Sequence, residues 1–452
     1  MEVLHRNSSE KLVFLETFGC QMNENDSERM LGFLKDIRYS RTATPENADL
    51  IIINTCSIRD KAEQKVYSIL GRFKELKKEN PGLIIGVSGC VAQQEGATLL
   101  KRAPHLDIVF GPHNVHKVKY LLSEAEKKKR VVAVEFKEGI DEDEYACERP
   151  ETGRKAFVSI MRGCDNFCSY CIVPYTRGRE VSRRSADIVA EVVSLSGAGA
   201  REVTLIGQNV NSYGTGAGGD VGFPELLRKV ASVDGIQRVR FITSHPKDIS
   251  EDLIRLFGAE PKLCRHIHLP VQSGSVRILK EMRRGYTVSE YLSKILLLRQ
   301  LYPEMAITTD IIVGFPGETD SDFNDTIELV NTVRFDNIFS FMYSPRPGTK
   351  AAAFDGQVEP ETRAERLRVL QERQKEITAE RNMELVGRTM EVLVEGVSKV
   401  DPEEISGRTT CNRIVNFRAP LEMNGTLVDV LITRAYANSL RGEQRERSVS
   451  CY

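Results

Sequence analysis

The sequence has no tryptophan, to which no function attaches, and almost no net charge: 63 lysines and arginines stand against 64 acids, a formal −1. That balance excludes a protein that attracts nucleic acid by a global positive field, so any such contact must use local basic patches. Long hydrophobic runs are also missing. Nothing approaches the ~20 apolar residues of a membrane-spanning helix. The opening residues, Met1-Glu2-Val3-Leu4-His5-Arg6, hold no apolar segment of a secretion signal. The expectation is a cytoplasmic chain with no membrane partner. In that reducing setting, ten cysteines among 452 residues point to metal binding or redox chemistry rather than disulfides. The length suits two or three domains.

Three of the cysteines form one tight array, Gly163-Cys164-Asp165-Asn166-Phe167-Cys168-Ser169-Tyr170-Cys171. It follows a β-branched apolar run at 157–161 that reads as a buried strand. A four-iron cluster takes about four thiolates. Three leave one iron open, where a small molecule can bind and react. A structural zinc site is the competing reading; the tight spacing and the lack of a fourth nearby Cys or His weigh against it.

Three further cysteines repeat a placement rather than a sequence. Apolar runs at 12–15, 50–53 and 83–87 read as strands, and they lead into Cys20, Cys56 and Cys90. Helical patterns at 26–37 and 58–76 lie between them. Strand–helix alternation with continuous apolar strands implies a parallel sheet covered on both faces. Right-handed crossovers put every strand's C-terminal end on one edge, so the three thiols can converge where open α/β sheets bind ligands. Buried Cys as a small hydrophobe explains one such position better than three. Shorter elements follow at 108–110, 115–125 and 131–134, then an acidic, turn-rich stretch at 138–152 that reads as a solvated linker. Cys147 lies in it as a bystander.

From Lys155 the alternation resumes. Strands are predicted at 157–161, 202–206, 238–242, 266–269, 307–313 and 337–341, with helices at 186–194, 224–233, 249–257, 276–282, 290–301 and 321–332. Six βα units are too few for a closed eight-stranded barrel, so a partial barrel with its chemistry at the C-terminal strand ends is expected. Polar loops follow the strands there. His266 and His268 share a strand face, but with no third ligand nearby they read as core or hydrogen-bonded histidines. Cys264 sits at the opposite end and reads as structural. The run from Pro174 to Arg184 is the densest basic cluster near the array. It is either a solvated loop or a contact for a phosphate-bearing substrate. Residues 361–385 read as a solvated connecting helix of mixed charge. Short strands at 389–395, 406–410, 414–417 and 426–435 then suggest a small barrel of the kind that binds RNA, with Arg413, Phe417, Arg418 and Arg434 supplying charge and stacking.

Taken together, these motifs resemble the radical S-adenosylmethionine methylthiotransferases over nearly the whole chain. The C-x3-C-x2-C loop resembles the radical enzymes' signature, the Cys20, Cys56 and Cys90 domain their N-terminal domain, and Asn438-Ser439-Leu440-Arg441-Gly442-Glu443 their RNA-binding TRAM module. Gly19-Cys20-Gln21-Met22-Asn23 and Asn54-Thr55-Cys56-Ser57-Ile58-Arg59 resemble the subgroup that acts on isopentenylated adenosine in tRNA. The resemblance is weaker to the subgroups acting on threonylcarbamoyladenosine or a ribosomal-protein aspartate. A non-catalytic RNA-binding iron–sulfur sensor is the alternative outside catalysis.

The resemblance implies an α/β chain of three parts: a flavodoxin-like parallel-sheet domain (11–137), a central partial (βα)6 radical-SAM barrel (153–384) and a small C-terminal antiparallel β-barrel (386–450). It implies two [4Fe-4S] clusters. One, on Cys164, Cys168 and Cys171, binds and reduces S-adenosylmethionine. The other, on Cys20, Cys56 and Cys90, carries the sulfur that a first S-adenosylmethionine methylates. Tyr170, Gln208, Asn209, Gln272, Asp310 and Arg183 are further candidates for cofactor or substrate contacts. The implied partners are a tRNA anticodon stem-loop and a flavodoxin-like or ferredoxin-like electron donor, and the implied form is a monomer.

Overall fold

The computed structural model describes residues 10–57, 62–147, 149 and 153–445. The first domain is one parallel sheet of β1 (Lys11–Phe18), β2 (Tyr39–Arg41), β3 (Leu50–Thr55), β4 (Ile84–Gly89), β5 (Ile108–Phe110) and β6 (Val131–Ala133), in the order β2-β1-β3-β4-β5-β6. Helices α1 (Gln21–Lys35), α2 (Ala62–Glu79), α3 (Cys90–Glu95), α4 (Ala97–Arg102) and α5 (Val118–Glu126) cover it. Side-chain alternation along β3 serves both faces: Leu50 and Ile52 pack with Met30, Phe33 and Leu121, while Ile51 and Ile53 pack with Val66, Ile69 and Phe73. Each fully buried aliphatic side chain contributes roughly 1.5–3 kcal/mol. The strand order reverses direction between β1 and β3, and the crevice at such a switch point is where doubly wound sheets bind ligands. Strand β2 and helices α3 and α4 are additions to the sequence reading; Tyr39-Ser40-Arg41 is too short and polar to show a period.

The middle domain is a half-barrel. Its strands are β7 (Lys155–Ser159), the short ribbon β8 (Met161–Arg162) and β9 (Val181–Ser182), then β10 (Glu202–Ile206), β11 (Arg238–Phe241), β12 (His266–His268), β13 (Ala306–Val313) and β14 (Asn337–Met342). Two parallel three-stranded sheets, β7-β10-β11 and β12-β13-β14, are joined where Val239 N donates to Lys262 O (2.8 Å) and accepts at its carbonyl from Cys264 N (3.0 Å). Six strands thus curve round one interior. Helices α6 (Val173–Thr176), α7 (Ser185–Gly197), α8 (Phe223–Ala231), α9 (Glu251–Ala259), α10 (Val276–Glu281), α11 (Val288–Leu301) and α12 (Asp320–Val333) follow the strands in turn.

Helix α13 (Pro360–Met383) is more than the solvated connector its charges suggest. Leu370 and Ile377 join the half-barrel core. Gln374 donates to Phe335 O (2.8 Å), and buried Arg366 pairs with Glu318 (2.8 Å). A short buried stripe at i, i+4, i+7 anchors an otherwise charged helix.

The third domain is a closed barrel of β15 (Thr389–Val397), β16 (Ile405–Thr409), β17 (Ile414–Phe417), β18 (Leu427–Ala435) and β19 (Leu440–Arg445), ordered β15-β16-β17-β19-β18. Strand β19 was not legible: its polar, glycine-containing LRGEQR carries no apolar alternation. Phe417, read above as a stacking residue, is 1 % exposed and belongs to the barrel core. The inward arginines of β11 hold this barrel. Arg238 donates to Arg408 O (2.6 Å) and Glu391 O (3.0 Å); Arg240 donates to Thr409 O (2.6 Å) and Thr410 O (3.0 Å) while pairing with Glu202 (2.9 Å).

The acidic stretch at 138–152 does not hang free over its described residues. Asp141 and Glu144 form a reciprocal cap on a short turn of helix. Glu144 is buried and accepts from Arg162 (2.6 Å). The Tyr145 ring is flanked by Arg29 at 4.0 Å and Arg183 at 3.9 Å. Paired acids are removed from the pool that would otherwise repel and solvate one another.

Candidate active site

Three thiols stand in one row across the first sheet. Register places Phe18 opposite Thr55 and Thr55 opposite Gly89, so Cys20, Cys56 and Cys90 emerge from adjacent strand ends. Two glycines permit this crowding. A Cβ on Gly19 (φ +143°) would fall 2.5 Å from the Cys56 Cβ, and one on Gly89 (φ +92°) would fall 2.2 Å from Thr55 O. Beneath the thiols two buried amides interlock. Asn23 donates to Asn54 Oδ1 (3.0 Å) and Thr55 O (3.2 Å), and Asn54 donates back to Asn23 O (2.8 Å). The Cys20 thiol donates to Asn23 Oδ1 (3.4 Å).

The electrostatics of the row are set by Cys56 and Arg177. Hydrogen bonding with Cys56, followed among the favourable influences by the Arg177 charge, brings the Cys20 thiol down to about 7 and Cys90 down to about 6 against the opposing effect of burial. Cys56, bonded to both, is pushed well above the ordinary thiol range. Both shifts favour the thiolate, the form that binds metal. Arg177 comes from the middle domain, is 5 % exposed, and pairs with Asp26 at 2.9 Å.

The second array occupies the loop between β8 and β9. Gly163 (φ +77°) lets it turn, since a Cβ there would lie 1.9 Å from Arg179 O. Its N–H donates to Gln208 Oε1 (2.5 Å). Asn166 donates to the Cys164 sulfur (3.6 Å) and Arg284 to the Cys168 sulfur (3.4 Å). Burial pushes Cys164 up to about 11 and Cys171 up to about 12; a bound metal cation reverses that direction. Past these thiols lies a row of orphaned polar atoms at the strand ends. Gln208 Nε2, Asn209 Oδ1, Ser244 Oγ, His245 Nε2 and Gln272 Oε1 are buried with no protein partner. Gln272 also holds a left-handed backbone (φ +76°), a strained conformation for a side-chain-bearing residue. Buried polar groups need partners, so this face fits a polar ligand beside the thiols.

A cavity of about 780 Å³ joins the three domains, a size suited to a nucleoside-scale ligand. Its wall includes Cys20, Cys56, Cys90, Gln208, Asp310 and, from the C-terminal barrel, Arg413, Asn438 and Ser439. Cys164, Cys168, Cys171, Tyr170, Asn209 and Gln272 are not on that wall; Gln208 touches both regions. Tyr170 is linked to the array through Arg284 (3.4 Å), and Asn209 is anchored to Asp248 (2.7 Å).

Arg183 departs from its reading as a contact residue. It is buried, donates to Ser159 O (2.6 Å) and pairs with Glu191 (2.6 Å). The other arginines of that cluster are similarly committed, Arg179 to Asp165 (2.6 Å) and Arg184 to Asp187 (2.9 Å). Arg177 and Arg183 are thus committed in buried pairs, whereas Arg179 and Arg184 pair at the surface. Arg413 likewise pairs with Asp336 (2.5 Å). His266 and His268 both bond Thr308 Oγ1, at 3.1 and 2.9 Å, and His268 lies 3.3 Å from Asp310. They are hydrogen-bonded as read, yet they line the cavity. The sequence does not single out Arg284; it includes Arg177 in the 174–184 cluster and Asn23 and Asn54 in the Cys20 and Cys56 motifs without the partners the fold gives them.

Comparison with known proteins agrees with this architecture. Residues 12–111 match the model of Uncharacterized protein family UPF0004, 158–330 the Radical SAM superfamily and 384–444 the TRAM domain. The solved radical S-adenosylmethionine methyltransferase TsrM from Kitasatospora setae shares the fold at a TM-score of 0.55 and 15% identity, covering 76% of this chain and 75% of its own. A tRNA-2-methylthio-N(6)-dimethylallyladenosine synthase of Geobacter metallireducens is 53% identical, covering 96% of this chain and 99% of its own. The protein of the same name from Geotalea uraniireducens is 52% identical over the same shares. Identity at that level across nearly the whole of both chains shows that this chain belongs to the tRNA-2-methylthio-N(6)-dimethylallyladenosine synthase family, within the radical S-adenosylmethionine superfamily.

Proposed function

We propose that the protein methylthiolates carbon 2 of N6-dimethylallyladenosine (isopentenyladenosine) beside the anticodon of tRNA, using S-adenosylmethionine and two [4Fe-4S] clusters. The observation that carries this reading is a nucleoside-sized cavity walled by Cys20, Cys56 and Cys90 of the sheet edge and by Val173, Thr176, Arg177 and Gln208 of the half-barrel, where Gln208 also bonds the loop of the second three-cysteine set at Gly163. The target is an unactivated aromatic C–H, and the clusters with S-adenosylmethionine supply the radical chemistry and the sulfur that no side chain can.

The chain's own residues bind and orient. Cys164, Cys168 and Cys171 hold one cluster and Cys20, Cys56 and Cys90 the other, each set leaving one iron free of protein. Arg177 balances the charge of the N-terminal thiolates. Gln208, Ser244, His245 and Gln272 offer the orphaned atoms that receive the polar parts of S-adenosylmethionine, with Tyr170 and Asn209 behind them. Asp310, on the cavity wall, faces the substrate. Arg183 acts at a distance, fixing Tyr145 and β7. The C-terminal barrel takes the anticodon stem-loop. A cytoplasmic monomer served by a flavodoxin-like or ferredoxin-like reductant completes the reading. No helix among the described residues is long and apolar enough to cross a membrane.

Mass spectrometry of tRNA nucleosides from a strain lacking the protein tests the assignment. The expected result is loss of the 2-methylthio nucleoside with accumulation of N6-dimethylallyladenosine. Unchanged tRNA with an unmodified ribosomal-protein aspartate, or loss of the threonylcarbamoyl product instead, would overturn it.

A further inference from the structure

Strand β14 is a free edge of the half-barrel, and its cavity side is aromatic. Register sets Thr308 opposite Asn337, Asp310 opposite Phe339 and Ile312 opposite Phe341. Asn337, Phe339 and Phe341 line the cavity, one pleat face at period two, while Ile338 between them is buried in the half-barrel core. Phe339 nevertheless keeps 51% of its surface exposed and Phe341 45%. Large apolar groups left bare inside a cavity mark a surface that something else covers. The wall is also rigid. Phe339 meets His268 edge to face, ring centroids 5.7 Å apart at 77°, and His268 is held by Thr308 (2.9 Å) and Asp310 (3.3 Å).

We propose that Phe339 and Phe341 are the specificity-determining receptor for the substituted adenine, with the branched apolar N6 group lying against the two rings. The inference rests on the function proposed above and adds the residues that read its substrate. Aromatic side chains take the face of an unstacked base, and a five-carbon prenyl group needs an apolar wall. The Asp310 carboxylate, directly across from Phe339, adds a repulsive element: an N6 group ending in a carboxylate, such as threonylcarbamoyl, would meet a like charge.

The test uses reconstituted protein with both clusters and S-adenosylmethionine, and two anticodon stem-loop RNAs. One carries N6-dimethylallyladenosine and the other adenosine at the same place. Fluorescence anisotropy gives the ratio of their Kd values, expected to favour the prenylated RNA on the order of tenfold in the unsubstituted protein. Phe339→Ala with Phe341→Ala should bring the ratio to within about twofold and raise KM for the prenylated RNA more than it lowers kcat. Both rings are half-exposed, so truncation leaves the core packed. Phe339→Leu with Phe341→Leu is the second variant and should retain most of the preference, because an apolar wall remains. A double-alanine protein that keeps the original ratio overturns the assignment, as does an unsubstituted protein that methylthiolates the prenylated RNA without preferring it. If the unsubstituted protein fails to methylthiolate that RNA, the proposed function falls instead, and the binding ratio still decides whether these rings read the prenyl group.

Discussion

The Arg177 guanidinium lies 2.9 Å from the Asp26 carboxylate, with both side chains almost wholly buried. Arg177 follows the second cysteine array in the chain, whereas Asp26 sits on α1, directly after Cys20. The contact pins the half-barrel loop to the sheet edge and puts a fixed positive charge beside Cys20 and Cys90. Two domains are thereby held in register where Cys20, Cys56, Cys90 and Arg177 line the cavity.

Arg177→Met should cost about 3 kcal/mol, the low end for breaking a buried ion pair, because Asp26 keeps Arg29 at 3.3 Å. The urea midpoint of the metal-free protein measures it. The same variant should lose iron from the N-terminal set before the half-barrel set. Arg177→Lys should fall between, since it keeps the charge without the fork.

Cys20→Ala should leave S-adenosylmethionine cleavage measurable as 5′-deoxyadenosine while abolishing methylthiolation, and Cys168→Ala should lose both. Anaerobic reconstitution should give eight irons in the unsubstituted protein, two clusters of four, and about half that in either variant. A Cys20→Ala protein that still methylthiolates tRNA would remove the second cluster from the reaction.

His113 makes the interdomain seam acid-sensitive. Its Nε2 lies 3.0 Å from Arg177 O, and burial, reinforced by the Arg162 charge, pulls its pKa from 6.5 to about 4. The unfolded chain therefore takes up the proton first. The stabilisation is complete above the unfolded value, declines as pH falls from 6.5 toward 4, and does not fall further below that. Between about pH 7.5 and about pH 5 this one group should remove about 2 kcal/mol. Denaturant midpoints at the two pH values should show that loss shrinking in His113→Gln.

Much of the fold was legible because its signals are local. Continuous apolar runs such as Ile51-Ile52-Ile53 mark buried parallel strands, and the cysteines stand just past their ends. Chain handedness then puts those ends on one edge, so both trios could be placed before any contact was known. Strand β19 and helices α3 and α4 escaped notice because their residues carry no period.

What the sequence determined by itself was the two cysteine sets proposed to carry the chemistry, their strand-end positions and the half-barrel that presents one of them. Tertiary structure decided which polar and aromatic groups surround them. Arg177 meets Asp26 across 151 positions of chain, and His268, Asp310 and Phe339 meet only through the register of three strands. The same step buried Arg177 and Arg183 of the 174–184 loop and Glu144 of the 138–152 stretch in ion pairs, while Arg179 and Arg184 pair at the surface. Charge and aromaticity are readable along a chain; their partners are not, because pairing depends on distances that exist only once the strands have closed around the cavity.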